Sequence, residues 1–572
     1  MKSSSKKSNM NCDVLIAGAG MAGLFAAWRL LNDPKTKNLN IIIVDKLNRT
    51  GGRLQTTTVT IKGTDGNNYN VKDEEGGMRF VPQGTGMENL WKLLVELKLN
   101  TAAVPFVMGN TNNKYNFRGK SFTFGEAAAN NNAIWATLFN LAPYERNLSP
   151  VGMLLNIMQD ILNQNPGGYQ AGKWPNSPET WIQFRNTFTF KDSTGKAIVI
   201  NNWGFWSLLR TYGATEESIV LMSHAIGFMG PFEAFINAGE SLQIIFDFPA
   251  AANFFTLKDG YESLPGALEK AIRGNKNARF VFGEEILNVA PPVGNITTVS
   301  GKLNNYTVGK INIEGKVILA VPKNALKHIT QASPLLSDNK KFVTAISSVQ
   351  NMQLSKVGMY FKERWWHKNP KINLTNGPSF TDLPVGSIYT FSQFPTDAAK
   401  DAAYNGPAAL TLYTDFIRGN FWEEMQSIGP KYKPLDNLVQ PANTYPASVN
   451  LVNELMKQIK MLFGLSAGDN TVPKPLLTTY RVWGEGEFGY GYHQYKLNVN
   501  DIDDVYFNIW NPAKNVFVCN EAWSPEQGWV EGSLIMSDFV MVLGFKMLPF
   551  DYNPKTNSFI ANAKKKIDGK KK

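Results

Sequence analysis

The chain has 572 residues, 43% hydrophobic and 18% charged, which describes a globular protein and excludes an intrinsically disordered one. Its formal charge of +11 sits mostly at the ends: Lys2, Lys6 and Lys7 in the leader and Lys564, Lys565, Lys566, Lys570, Lys571 and Lys572 in the tail, offset by Asp568, carry +8 and leave +3 for the rest. A near-neutral body excludes a nucleic-acid-binding surface, and the basic tail reads as a disordered end capable of weak contact with anionic surfaces.

Residues 1–11 are polar and basic with no apolar core behind them, so a disordered leader is expected rather than a signal peptide. No apolar stretch is long enough to span a bilayer; the apolar run at 234–255 is interrupted by Glu240 and Asp247. The two cysteines, Cys12 and Cys519, lack metal-ligand spacing. Placed near opposite ends of parallel strands, they could not form a disulfide. A reducing, cytoplasmic setting is the expectation, with no metal site.

The apolar run from Asp13 ends in Gly18-Ala19-Gly20-Met21-Ala22-Gly23, and a helical pattern follows directly. A second apolar run, Ile41 to Val44, ends in Asp45. This is the sequence form of a βαβ dinucleotide site. Gly18 permits the tight turn, Gly20 lets backbone approach a pyrophosphate, and Gly23 lets helix and strand pack closely. The helix N-terminus offers N–H groups to phosphate, and Asp45 offers an acceptor to the adenosine ribose. Arg49-Thr50-Gly51-Gly52-Arg53 then combines close backbone approach with a cation.

Residues 54–73 alternate around Gly63 and Asp65-Gly66 and predict a hairpin. Residues 85–99 predict a helix with Leu90, Leu93, Leu94 and Leu97 on one face. A strand pair is expected around Val104 to Phe124. Helical periods dominate from 127 to 245, with Trp174, Trp181, Trp203 and Trp206 as the expected core of an inserted subdomain. A helix starting near Leu264 runs to about Arg273, and strands return at 278–282, 285–289, 306–313 and 316–320. The nucleotide domain is therefore discontinuous. Strands mixed with one helix near 447–463 suggest a sheet-based domain over 340–500. Val516 to Glu521 is a buried strand ending in an acid, and Gln527-Gly528-Trp529-Val530-Glu531-Gly532 leads into an apolar helix ending near Leu548.

Taken together, the glycine turn with Asp45, Gly51-Gly52-Arg53, Glu75-Gly76-Gly77-Met78-Arg79-Phe80, Asp259-Gly260 through Leu264-Pro265, and Glu521 through Gly532 resemble the flavin-containing amine oxidase superfamily. Within it the chain looks most like the FAD-dependent L-amino-acid oxidases. The resemblance spans Asp13 to about Leu548. It implies an α/β fold with a Rossmann-like FAD-binding domain from 12–62, 257–335 and 505–550. A sheet-based substrate-binding domain from 63–126 and 336–504 and a helical subdomain over 127–256 complete it, with disordered basic termini at 1–11 and 555–572. It implies non-covalent FAD, because Gly491 stands where monoamine oxidases carry a flavin-linked cysteine. The implied cofactor contacts are Gly18, Gly20, Met21, Ala22, Gly23, Asp45, Gly52, Arg53, Gly76, Gly77, Met78, Arg79, Ile286, Glu521, Gly528, Trp529 and Val530.

The resemblance also implies roles at the reacting end. Arg79 is placed to bind the substrate α-carboxylate, since a guanidinium fork matches a carboxylate bidentately. Tyr389, after Thr381-Asp382-Leu383-Pro384, is the second carboxylate contact, and packing between sheets is its alternative role. Lys356, ten residues before Trp366, corresponds to the family's flavin lysine; Lys362 is the less favoured choice. Tyr492 and Trp529 form the two walls of an aromatic cage. His224 reads as structural, and Arg481 and Glu485 as surface charges. The implied reaction is oxidation of an L-amino acid by dioxygen to a 2-oxo acid, ammonia and hydrogen peroxide, and similar enzymes are commonly homodimers. An amino-acid 2-monooxygenase, a monoamine or polyamine oxidase, and a flavin-bound scaffold without amino-acid chemistry remain alternatives.

Overall fold

A computed structural model describes residues 7–163, 174–247, 253–415, 418–486, 488–551 and 560. Its centre is a parallel sheet of five strands in the order Ala278–Phe282, Ile41–Asp45, Val14–Ala17, Lys316–Leu319 and Val516–Val518. Apart from Asp45 and Lys316 at strand ends, the middle strands are apolar and buried, as a sheet covered on both faces requires. Helices Met21–Asn32, Ser263–Arg273 and Val530–Phe545 pack around it. The last helix is apolar all round because nearly all of its residues are buried.

A second sheet of seven strands runs Leu477–Trp483, Leu354–Phe361, Ala408–Asp415, Ser387–Thr390, Gly377–Thr381, Lys114–Phe117 and Lys120–Thr123. Its pairs are antiparallel except that Gly377–Thr381 runs parallel to Lys114–Phe117. The expected hairpin forms as Thr56–Lys62 with Asn68–Glu74. The expected helices appear as Glu88–Glu96 and Val449–Leu462.

Between Phe124 and Phe246 the described chain is mostly helical and has its own core, which includes Trp135, Trp181 and Trp203. Trp174 and Trp206 are only partly buried against that core. A small hairpin, Thr189–Lys191 with Ala197–Val199, interrupts the helices.

Four expectations need correction. Residues 8–11, expected to be disordered, belong to the strand Ser8–Cys12, which pairs in parallel with Asn304–Val308. That partner ends at Val308 rather than 313, and Thr297–Gly301, unforeseen, completes a four-stranded sheet with Ile286–Val289. Polar sequences such as Asn-Asn-Tyr-Thr-Val carry little hydrophobic signal, so backbone pairing decides them. Ala103–Phe106 pairs with Phe254–Leu257, which crosses the domain boundary expected at 256. Lys114–Phe117 and Lys120–Thr123 form a separate hairpin. The tail from 555 lies outside the described residues apart from Ile560, which is buried.

Cys12 and Cys519 are free and buried, and burial raises both thiols to about 12. No helix among the described residues is long and apolar enough to cross a membrane. No group of His, Cys, Asp or Glu among them could hold a metal ion.

Candidate active site

A single cavity of about 800 Å³ runs from the first strand–helix turn to the second sheet. At one end it is lined by Gly18, Gly20, Met21, Ala22, Asp45 and Ile286, at the other by Arg79, Lys356, Tyr492 and Trp529. Residues 500 positions apart in sequence therefore face one space.

The first end is built for a phosphate-bearing ligand. Gly18 has φ +103°, and a Cβ there would lie 2.3 Å from the Ala320 carbonyl oxygen. Gly23 faces no cavity; a Cβ there would lie 1.9 Å from the Gly18 carbonyl oxygen, so its function is tight packing of helix on turn. A Cβ on Gly20 would meet only Gly52 Cα, at 3.9 Å, so this backbone is open to a ligand. Helix Met21–Asn32 begins at Gly20 with no side-chain cap and no acid in its first turn, which leaves its N–H groups and positive dipole end for an anion. Asp45 accepts N–H bonds from Ala19 at 2.7 Å and Leu47 at 2.8 Å, and burial raises its carboxyl above the ordinary range.

Midway along, Glu521 Oε2 takes a 2.6 Å bond from Arg53, while Glu521 Oε1 accepts from the backbone N–H groups of His493 and Gly528, each at 3.1 Å. The Arg53 and His493 side chains outweigh burial and hold this carboxyl down at about 2. His493 Nδ1 lies 3.3 Å from Glu521 Oε2, and burial lowers the imidazole below its ordinary value. Helix Val530–Phe545 starts at Trp529 without a side-chain cap. Its first-turn Glu531 is turned away, accepting from Asn89 and Leu90.

At the far end the rings and cations are contiguous. Trp529 stacks on Phe254 at 6.3 Å and donates from Nε1 to Asp247 at 3.0 Å. The Arg79 guanidinium carbon lies 5.0 Å from the Phe254 ring, 5.5 Å from Phe106 and 5.8 Å from Tyr389. The Tyr389 ring is 6.1 Å from Tyr413, and Tyr413 is 5.1 Å from Lys356 Nζ. Lys356 Nζ donates to the Glu74 and Gly76 carbonyls at 3.0 and 2.5 Å. Burial lowers this lysine to about 8. Tyr492 sits beside Gly528, with Phe228 6.0 Å away.

Most residues singled out in the sequence therefore line the cavity or support it. Tyr389 is an exception of degree: it touches Arg79 but does not line the wall, whereas Tyr413, unforeseen, does. Phe228 and Ile244 of the helical insert and Trp483 and Phe488 also line it, none of them singled out as a site residue in the sequence. Every residue of Ala408–Asp415 is buried, so alternation could not single out Tyr413. Lys362 is exposed and pairs with Asp436 at 3.1 Å, away from the cavity. His224 also lies off the cavity and is satisfied by the Val220 carbonyl at 2.8 Å. Arg481 is not a surface charge: it is fully buried and holds Glu75 at 2.9 Å, over the Phe488 ring. Glu485 is exposed at the cavity rim.

The length of the cavity, its uncapped helix start, Asp45 and the paired Arg53 fit a dinucleotide, and Lys356 and Trp529 line the same cavity. Comparison with known proteins agrees. The family model described as flavin containing amine oxidoreductase matches residues 21–427. Aplysianin-A of Aplysia kurodai is 23% identical over 93% of this chain and 90% of its own. A putative L-amino-acid oxidase of Bacillus subtilis (strain 168) is 22% identical over 72% of this chain and 74% of its own. The structure of putrescine oxidase bound to putrescine superposes with a TM-score of 0.61 at 15% identity, covering 94% of this chain and 100% of that one.

Proposed function

Since this chain belongs to the flavin-containing amine oxidoreductase family and its cofactor is the flavin FAD, we propose that the amine it oxidises is an L-amino acid, with dioxygen as acceptor. One observation carries the reading: Arg79, buried on the wall of the cavity among Phe106, Phe254 and Tyr389. A substrate carboxylate entering this apolar setting gains a charge-assisted, bidentate partner where water competes least. A simple amine has no use for it. The similarity to a protein named as a putative L-amino-acid oxidase supports the same assignment.

Bound FAD supplies the two-electron acceptor for the substrate's Cα–H bond. The protein's part is positioning and electrostatics. At the phosphate end, Gly18, Gly20, Met21, Ala22, Gly52 and Arg53 would hold the pyrophosphate, Asp45 and Ile286 the adenosine end, and Glu521 the middle. Gly76, Gly77, Met78, Gly528 and Val530 would give backbone and packing to the ring system. Arg79 fixes the substrate carboxylate, and Tyr389 braces Arg79 through its ring. Tyr492 and Trp529 flank the reacting carbon, and by excluding water they favour loss of the bound ammonium's proton. Lys356, held by two carbonyls, presents a cation at the site of charge development.

The test is a panel of twenty L-amino acids assayed for 2-oxo acid, ammonia and peroxide, with wild type and Arg79→Ala. Release of all three by wild type, and a KM raised about tenfold or more in the variant, matches the roughly 1.5–3 kcal/mol of a lost charged hydrogen bond. An unchanged KM removes the carboxylate role. An amide and carbon dioxide as products identify a 2-monooxygenase instead.

A further inference from the structure

A second, smaller cavity of about 140 Å³ lies behind the reacting end. Its walls include Asp73, Glu74, Met78, Phe106, Thr256 and Ser392, and Met78 also lines the large cavity. Its volume leaves room for a few waters, and Asp73, Glu74, Thr256 and Ser392 offer them polar partners.

Asp73, in its wall, is buried and carries an oxygen, Oδ2, with no hydrogen-bond partner among the described residues. Its other oxygen accepts from Thr411. The space for Oδ2 is made by a glycine: a Cβ on Gly358 would lie 2.3 Å from it. Strand register sets Gly358 opposite Thr411 and Lys356 opposite Tyr413. Asp73 thus packs against Gly358, which is one same-face step, about 7 Å, along the strand from Lys356. Glu74, beside it, accepts from the Tyr261 N–H at 2.8 Å and the Thr56 hydroxyl at 2.9 Å, and its carbonyl holds Lys356. Glu75, Arg79 and Tyr360 act on the same cluster, Tyr413 faces Lys356 across the pair, and Arg481 neutralises Glu75.

We propose that the small cavity is a water-filled proton port, through which Asp73 and Glu74 exchange protons between the Lys356 side of the active site and solvent while substrate fills the large cavity. It rests on amine oxidation as the reaction, not on the amino-acid assignment. Oxidation of an ammonium substrate, RCH(NH3+) to RC(=NH2+), gives up one hydride and one proton. Reduction of dioxygen to hydrogen peroxide takes up the equivalent of that hydride and one proton. One proton therefore leaves the buried site in the first half-reaction and one returns in the second. In the port only N–H and O–H bonds change: the Lys356 ammonium gives a proton toward Asp73 and regains one from the large cavity, and Asp73 gives its own to water. Burial tunes the groups for this exchange, raising Asp73 to about 6 and Glu74 to about 8 and lowering Lys356 to about 8.

The experiment is anaerobic stopped flow of the holoenzyme with a pH indicator, following flavin bleaching and proton release together. The probe is the L-amino acid that bleaches wild type fastest, or putrescine if none does. Two variants are compared: Ser392→Trp, which fills the port from a loop, and Asp73→Asn. The expected result is wild-type substrate affinity with proton release delayed tenfold or more behind bleaching in both. Formate should restore prompt release in Asp73→Gly, where the lost side chain leaves room for a small acid. A purely structural Asp73 would lower Tm without separating the two signals. Proton release that keeps pace with bleaching in Ser392→Trp and in Asp73→Asn overturns the proposal.

Discussion

Glu521 shows how single side chains set the chemistry here. It is buried, yet Arg53 keeps it ionised. Its folded value, depressed to about 2, means that its contribution to stability is present above the ordinary carboxylate range and is lost as pH falls toward 2. Arg53→Met should leave the buried Glu521 carboxylate without its cation, held only by His493 and two backbone N–H groups, and cost about 1–3 kcal/mol. Thermal melting at pH 7 should show a lower Tm in the variant, and the gap should narrow in acid as Glu521 takes a proton. Lys356 gives the opposite sign. Its cation is lost as pH rises through about 8, so the rate with dioxygen should fall on that basic limb, and Lys356→Met should lower the rate and flatten the limb. Some of these residues were legible and some were not, for a physical reason. Arg79, Lys356 and Trp529 sit inside motifs whose order along the chain is informative. Arg481 was read as a surface charge because a lone Arg in a strand carries no mark of its partner, and Glu75, its buried counter-ion, lies 406 residues away.

At the scale of elements, the turn from Val14–Ala17 into Met21–Asn32 does two things at once. It closes tightly against Ala320 and leaves an uncapped helix start facing the cavity. Gly18→Ala should fail on both counts, since a side chain at φ +103° is strained and its Cβ meets a carbonyl oxygen at 2.3 Å. Flavin absorbance per protein should drop sharply, whereas Gly66→Ala, also at positive φ but with open space around it, should bind FAD normally. The glycine spacing made this element readable, as did the alternation of the hairpin Thr56–Lys62 and Asn68–Glu74. The edge strand Ser8–Cys12 was not readable. Most of its side chains are exposed, so nothing in hydropathy distinguishes it from a leader, and it is fixed by pairing with a strand almost 300 residues on.

Over the whole molecule, the nucleotide sheet draws strands from near both ends and from the middle of the chain, while the second sheet and the helical insert fill the gaps in sequence. That discontinuity was visible in the return of apolar strands after the helical stretch. The place of Phe254 and Tyr413 beside Arg79, Tyr389 and Lys356 was not, because it depends on how the Phe254–Leu257 strand and Ala408–Asp415 of the second sheet pack around the loop that carries Arg79. The decisive property of this end of the cavity is whether it selects for a carboxylate. The direct measurement is anaerobic flavin bleaching with a matched pair, L-leucine and its decarboxylated amine, 3-methylbutylamine, in wild type and Arg79→Ala. The predicted result is efficient bleaching of wild type by the amino acid alone, with that preference collapsing at least tenfold in the variant. Equal or faster bleaching by the amine in wild type, unaltered in Arg79→Ala, would contradict the account.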